Sequence, residues 1–269
     1  MLFVLELLLI APAFSRVALV TGGNRGIGRA IAQQLAHNGD SVVIGYKSDA
    51  RAADECLASL APPPEGAPAH VAVQADVADP DACARLIGEC VAKCGALDVL
   101  VLNAGVITST PLFETDYERW VASWRDTLAT NLVGPACLCY HAARHMAARG
   151  AGGAMVFVGS RGGFRGEPEA FAYGASKLGL NNLVGSLAVA LGPHGVRVSG
   201  VAPGFIETDM AADVLATPGV GDAIRAQSPW ARVGTPAEVA HVVAFLASEG
   251  ATWATGAIVD CNGASYLRI

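Results

Sequence analysis

The sequence predicts an α/β fold: a doubly wound, seven-stranded parallel sheet with helices on both faces. Three observations carry that expectation. Short apolar, β-branched runs alternate with longer segments of helical period along the 269 residues, the rhythm of repeated β-α units joined by right-handed crossovers. Several runs, DVLVL and AMVFV among them, are continuously apolar rather than alternating, as in strands covered on both faces. Glycine and proline fall where such units begin and end. The expected strands are 16–20, 41–45, 70–74, 97–102, 154–158, 196–201 and 257–260. The expected helices are 26–38, 51–60, 81–94, 117–148 with an internal break, 170–191 and 237–247. Gly39, Gly95, Gly150 and Gly195 stand at expected helix C-caps, and Pro80 and Pro236 open helices, where a missing N–H costs nothing. Residues 62–68 (PPPEGAP) read as a surface loop. With no linker in the pattern, residues 16–269 are read as one domain.

Composition narrows the class. Apolar residues make up 52% and charged residues 16% of the chain, which excludes intrinsic disorder. The balance of 18 Lys+Arg against 24 Asp+Glu leaves a net charge of −6, so no nucleic-acid partner is expected, because that role needs a basic face. Residues 1–15 form an apolar extension. The stretch MLFVLELLLIAPAF is shorter than the roughly 20 residues a spanning helix needs, is interrupted by Glu6 and lacks a basic start. It reads first as an N-terminal extension or a misassigned start, second as a leader peptide and last as a membrane anchor, and no membrane span is expected. The seven cysteines (56, 83, 90, 94, 137, 139 and 261) are odd in number and form no CxxC pair. That usage fits a reducing compartment and a cytoplasmic location.

The turn after the first strand reads Thr21-Gly22-Gly23-Asn24-Arg25-Gly26-Ile27-Gly28. Glycines there let backbone amides approach a pyrophosphate, and the helix that follows offers the positive end of its dipole. The spacing is GxxxGxG, and its place between strand and helix makes the fold Rossmann-type. An NAD site places an acid at the end of the second strand to hold the ribose hydroxyls. The chain has Gly45-Tyr46-Lys47-Ser48 there, and Asp49 falls past the strand end. Lys47, with Arg25 in the loop, suits a 2′-phosphate, so NADP(H) is expected in preference to NAD(H).

Tyr173-Gly174-Ala175-Ser176-Lys177 opens the long helix 170–191. Residues i and i+4 share a helix face, so the phenol and the ammonium can enter one site. A free phenol titrates near ~10, and an adjacent cation is expected to lower that value towards efficient proton exchange with a carbonyl or alcohol oxygen. Ser160, at the carboxyl edge of the fifth strand, can hydrogen-bond the same oxygen.

These motifs resemble the short-chain dehydrogenase/reductase family in its single-domain form, over residues 16–263. The shared residues are TGGNRGIG (21–28), Asp76-Val77, Asn103-Ala104-Gly105, Asn131, Ser160, YGASK (173–177) and PGFIET (203–208). The resemblance implies Tyr173 as acid/base, with Lys177 lowering its pKa and holding the nicotinamide ribose. It implies Ser160 as the group that orients the carbonyl and Asn131 as organiser of the helix. Asp76 and Val77 would face the adenine, and Asn103, Ala104 and Gly105 the ribose region. Pro203, Gly204, Ile206 and Thr208 would hold the carboxamide, and Tyr46 would join Lys47 at the second strand's end. The nearest subgroup resembled is the 3-oxoacyl-acyl-carrier-protein reductases, which implies a ketone or acyl-thioester substrate and a homotetramer. Other sugar, steroid or small-ketone substrates, and a catalytically silent nucleotide binder, stay open. The sequence departs from the family at Leu102, where an Asn is common, and at Asp260-Cys261-Asn262-Gly263, where VDGG is usual.

Rival chemistries lack support. His141 and His145 lie one turn apart, but Ala142 stands where a metalloprotease has its Glu, so no metal is expected and a solvated helix edge is. No Gly-Lys-Ser/Thr closes the glycine loop and no GxSxG elbow occurs. Segments 161–169 and 205–230 are expected to shape specificity. Phe205, Met210 and Trp230 are candidate pocket walls, and Arg161 and Arg165 could attract an acidic substrate or an acyl carrier's phosphopantetheine, although a solvated loop is the default.

Overall fold

The computed structural model describes residues 15–268, and the expected N-terminal extension lies outside them except for Ser15. Seven strands form one sheet: β1 (Val17–Thr21), β2 (Ser41–Tyr46), β3 (Val71–Gln74), β4 (Val99–Leu102), β5 (Gly153–Val158), β6 (Val196–Pro203) and β7 (Ile258–Cys261). Their order is β3-β2-β1-β4-β5-β6-β7, and each neighbouring pair runs parallel. The direction of winding reverses between β1 and β4. Loops leaving those two strands therefore diverge and open a crevice at the carboxyl edge.

Alternation of side chains sorts the strand residues into two cores. Val17, Leu19, Val43, Leu100 and Met155 face one side, where they meet Leu86 of α3 (Pro80–Cys94), Leu138 of α5 (Gly134–Arg149) and Leu180 of α6 (Phe171–Leu191). Ala18, Val20, Val42, Ile44, Val101 and Val156 face the other, against Ile31 and Leu35 of α1 (Gly26–His37) and Val239 and Val243 of α9 (Pro236–Ala247). Both faces are thus dry, which explains the continuous apolar runs. α2 (Ala50–Ala58) completes the first half. Its N-cap is Asp49, whose carboxylate accepts from Ala52 N at 2.9 Å.

Most differences from the expected elements are shifts of one or two residues at the ends, and two have other causes. The helix expected over 117–148 is α4 (Tyr117–Leu128), a π-helical turn (Ala129–Val133) and α5. At the exit of that turn a Cβ on Gly134 would lie 2.2 Å from the Val77 carbonyl, so the close approach of α5 to the loop after β3 requires glycine. The excursion after β6 is not a structureless loop but holds α7 (Asp209–Ala216) and α8 (Val220–Arg225).

The cysteines are packing residues. Those of the described residues are all free thiols, and burial pushes Cys83 and Cys90 up to about 12. His145 corrects the expected solvated helix edge. It is half-buried and its Nε2 accepts from Leu97 N at 3.2 Å, tying α5 to the start of β4. No cluster of three potential metal ligands occurs among the described residues.

Candidate active site

The crevice is assembled from the ends of β1, β4, β5 and β6. At β1, Thr21 Oγ1 accepts from the amides of Asn103 (3.0 Å) and Ala104 (3.1 Å), fixing the loop after β4 against the glycine turn. The Asn103 amide donates back to the carbonyls of Thr21 and Gly22 at 2.9 and 3.1 Å. Gly22 and Gly26 adopt φ of +60° and +53°, which side chains rarely tolerate. A Cβ on Gly28 would lie 2.1 Å from the Gly22 carbonyl oxygen. Asn24 is buried beneath the turn and Ile27 packs on the α1–α9 core.

The end of α1 at this turn is left uncapped, as is that of α6. The N-cap of α1 is the exposed Arg25, without a capping side-chain bond, and its first turn contains no acid. Helices α2, α3, α4 and α9 are capped by Asp49, Asp79, Asp116 and Thr235. Free amides, the dipole and a glycine cradle together fit the pyrophosphate of a dinucleotide.

At the end of β2, Tyr46 is half-buried and Lys47 is exposed. Lys47 Nζ lies 2.8 Å from Asp76 Oδ2, just past β3. Partial burial raises the Asp76 pKa, but hydrogen bonds from Lys47 and from Ala78 N outweigh it and hold the carboxyl below its usual range. Val77 behaves differently from its neighbour, because its side chain is buried in the core. Of the Asp76-Val77 pair, only Asp76 presents a side chain at the sheet edge.

Asn131 sits in the π-helical turn, a distortion often found at functional positions. It is almost completely buried. Its Oδ1 accepts from Val106 N and its Nδ2 donates to Val106 O, both at 2.8 Å, and Nδ2 also donates to Ser176 Oγ at 3.1 Å. Ser176 Oγ in turn donates to the Tyr173 carbonyl at 2.7 Å. The loop after β4 and the first turn of α6 are therefore held by one amide. Gly105 lets this network close, since a Cβ there would stand 3.4 Å from Asn131 Oδ1 and 3.5 Å from Lys177 Nζ.

Lys177 is buried, and its ammonium donates to the Val158 carbonyl at the end of β5 at 2.9 Å. Its Nζ lies 5.7 Å from the centroid of the Tyr173 ring. Burial lowers the Lys177 pKa to about 8. The Tyr173 phenol corrects the expectation that its cation would lower it. Burial raises it above the ordinary value, hydrogen bonding with Ser160 pulls it down, and the charge of Glu167 pushes it up. Desolvation at this depth outweighs an ammonium already engaged by a carbonyl. Ser160 caps a short 3-10 turn (Arg161–Gly163), accepting from Gly162 N at 3.0 Å. The structure thus brings Ser160, Tyr173, Lys177 and Asn131 to one end of the crevice.

From β6, Gly204 N donates to Cys261 O at 3.1 Å, joining the Pro203-Gly204 turn to the end of β7. Ile206 is buried in the core. Thr208 reaches across the crevice: its methyl lies 3.4 Å from where a Cβ on Gly26 would be. Phe205 and Trp230 line a cavity of about 200 Å3 beside this loop, whereas Met210 does not and is exposed.

Residues 22–263 match the family model described as enoyl-(acyl carrier protein) reductase. The chain belongs to the short-chain dehydrogenase/reductase family. Its relatives in that family include the cis-4-hydroxycyclohexanecarboxylate dehydrogenase of Sinomonas cyclohexanicum, 41% identical over 92% of this chain and 95% of that protein. The 3-oxoacyl-acyl-carrier-protein reductase of Staphylococcus aureus is 37% identical over 94% of this chain and 99% of its own length. Among solved structures, a dehydrogenase/reductase from Sinorhizobium meliloti superposes with a TM-score of 0.84 at 33% identity, over 94% of this chain and 96% of that one. The short-chain dehydrogenase/reductase fold accounts for the sheet order and the crevice, and the chain is an oxidoreductase of a family that uses nicotinamide cofactors.

Sequence reasoning missed Ser176, although its place between Tyr173 and Lys177 in the helix was the available signal. It placed Arg161 by default in a solvated loop, with an acidic-substrate contact as the other reading, and the structure buries the side chain. The Asn131 network yields a quantitative expectation. Asn131→Ala removes the partner of the part-buried Val106 amide and carbonyl and should cost about 1 to 2 kcal/mol of unfolding free energy, read from the shift of the urea midpoint.

Proposed function

We propose that this short-chain dehydrogenase/reductase interconverts a ketone and a secondary alcohol, using NADP(H) in preference to NAD(H). The observation that carries this reading is a phenol and a buried ammonium on one face of α6, beside Ser160 at the end of β5. The amides of 22–28 would hold the pyrophosphate, with Asn103, Ala104 and Gly105 along the ribose and Pro203, Gly204, Ile206 and Thr208 at the carboxamide. The nicotinamide, when bound, supplies or accepts the hydride. Ser160 orients the substrate oxygen by hydrogen bonding. Tyr173 gives that oxygen a proton during reduction and takes one during oxidation. Lys177 stabilises the tyrosinate that reduction leaves, since at neutral pH its ammonium is largely protonated. Asn131 acts by positioning α6.

Support for NADP(H) comes from Lys47 and Arg25, two exposed cations at the mouth of the adenine side. The Lys47–Asp76 pair is half-exposed, and pairs of that kind are worth about 1 kcal/mol or less, so a phosphate can take Lys47 from it. A cytoplasmic location fits the free cysteines, and no helix of the described residues is long and apolar enough to cross a membrane. A homotetramer is supported by apolar residues exposed on α5 and α6 and near the C-terminus, including Tyr140, Leu178, Val189 and Trp253.

For substrate, the 3-oxoacyl thioester suggested by the Staphylococcus relative stands beside two other classes named among relatives: a hydroxycyclohexane carboxylic acid and L-rhamnose. A spectrophotometric screen of NADPH oxidation with acetoacetyl thioesters, 4-oxocyclohexanecarboxylate and simple ketones, and of NADP+ reduction with rhamnose, should find turnover with one class. Absence of turnover with all of them, with NADPH still bound, would favour the silent nucleotide binder.

Two outcomes are expected with an active substrate. Tyr173→Phe should lower turnover about 1,000-fold and leave NADPH affinity unchanged. A raised phenol pKa keeps Tyr173 protonated near neutrality, so the rate of ketone reduction should be flat from about pH 6 to 7 and fall through about pH 8 as Lys177 loses its charge, while alcohol oxidation rises towards about tenfold per pH unit below that point. Lys47→Ala should weaken NADPH binding about tenfold and NADH binding hardly at all, as read by fluorescence titration. Equal dissociation constants for NADPH and NADH in the unaltered protein would refute the cofactor preference.

A further inference from the structure

Arg161 follows Ser160 directly, yet its side chain is turned inward and only 5% of the residue is exposed. Its guanidinium contacts neutral groups. Nη1 donates to Ser265 Oγ at 2.5 Å, Nη2 donates to Gln227 Oε1 at 2.6 Å, and the Phe205 ring lies 5.0 Å away. No carboxylate among the described residues pairs with it, and the two acids that line the same cavity are engaged elsewhere. Glu238 and Asp260 line the same cavity of about 200 Å3, but they bind Arg232 and Arg268 at 2.6 and 2.7 Å. Arg165 and Glu167 stand together in the loop that carries Arg161, their charges 4.0 Å apart and acting on it in opposite senses. The positive charge of Arg161 is thus left over at the wall of this open cavity.

A guanidinium cannot shed its proton, and burying one without a counter-charge is costly. Folds keep such an arrangement where a ligand brings the anion. Arg is also the side chain whose planar fork matches a carboxylate bidentately. Its present partners are exchangeable: Gln227 lies just beyond α8 and Ser265 in the C-terminal segment, and both are neutral. The remaining walls include Phe205, Ile206, Ile224 and Trp230, which suit a compact hydrocarbon skeleton. Arg161 follows directly on Ser160, the residue proposed to orient the substrate oxygen, and Phe205 and Ile206 follow the Pro203-Gly204 turn at the end of β6.

We propose that Arg161 binds a carboxylate carried by the substrate, so that the substrate is a small oxo or hydroxy acid whose acid group is remote from the reacting carbon. This rests on the ketone/alcohol reading above and names the substrate class of that same site. Arg161 is a specificity residue here and takes no part in proton transfer.

The test compares matched charged and neutral probes. With NADP+ present, calorimetric titration should show cyclohexanecarboxylate binding about tenfold or more tighter than cyclohexanecarboxamide. Arg161→Gln should bring the ratio to about one, and Arg161→Lys should keep part of it. Equal binding of acid and amide by the unaltered protein overturns the proposal, whether or not the variants fold. A folded Arg161→Gln that keeps the preference for the acid overturns it too. In turnover, kcat/KM for 4-oxocyclohexanecarboxylate should exceed that for its methyl ester by a similar factor, and Arg161→Gln should remove the difference. A structural role alone would lower both substrates equally. Selective binding of the acid with no reduction of acid or ester would contradict the hydride-transfer reading and leave the anion subsite standing.

Discussion

A single buried ammonium sets the terms for the rest of this structure. Lys177 enters the space between β5 and α6, where water cannot solvate it, and its hydrogen bond goes to the backbone carbonyl of Val158. That geometry requires β5 to end at one place and α6 to begin at another. It also needs the loop after β4 to stay clear, which Gly105 permits. Asn131 secures that loop by bonding both polar groups of Val106 and, through Ser176, the first turn of α6. Asn131 is placed there by a π-helical turn inside what would otherwise be one long helix. Stability is spent on keeping a charge in a dry place, a pattern typical of proton-transfer sites.

The same economy governs the cofactor side. A protein of net charge −6 must attract an anionic dinucleotide through local features. In the proposed reading, backbone amides at the uncapped start of α1 and the exposed Arg25 and Lys47 would fulfil that need, while the acids at the starts of α2, α3 and α4 serve as caps. Parallel winding in both directions from β1 and β4 places these groups and the Tyr173 face of α6 at one edge of the sheet. The high apolar content that raises the question of a membrane is used to cover both faces of that sheet.

Features set by local physics were legible in the sequence. The dry strands announced themselves as unbroken apolar runs, the glycine turn by its place between strand and helix, and the Tyr173–Lys177 pair by helical spacing. Features set by distant contacts were not. The π-helical turn preserves the apolar periodicity of an ordinary helix and differs in its hydrogen bonds, so 129–133 showed only as a break. Helices α7 and α8 are too short to establish a period. Arg161 lies in a glycine-rich stretch that reads as solvated, and its burial depends on Gln227 and Ser265, 66 and 104 residues away. The direction of the Tyr173 shift depended on how deeply α6 is buried, which spacing does not encode.

The account stands on Lys177 being a buried, desolvated ammonium beside the phenol. The chain has three lysines, Lys47, Lys93 and Lys177, so a pH titration of 13Cε-labelled lysine followed by NMR can resolve each one. The resonance that disappears in Lys177→Met should titrate with a midpoint at about 8. A midpoint at or above the ordinary lysine value of about 10.4 would mean that the ammonium is solvated, and would contradict the arrangement from which the proposed chemistry is derived.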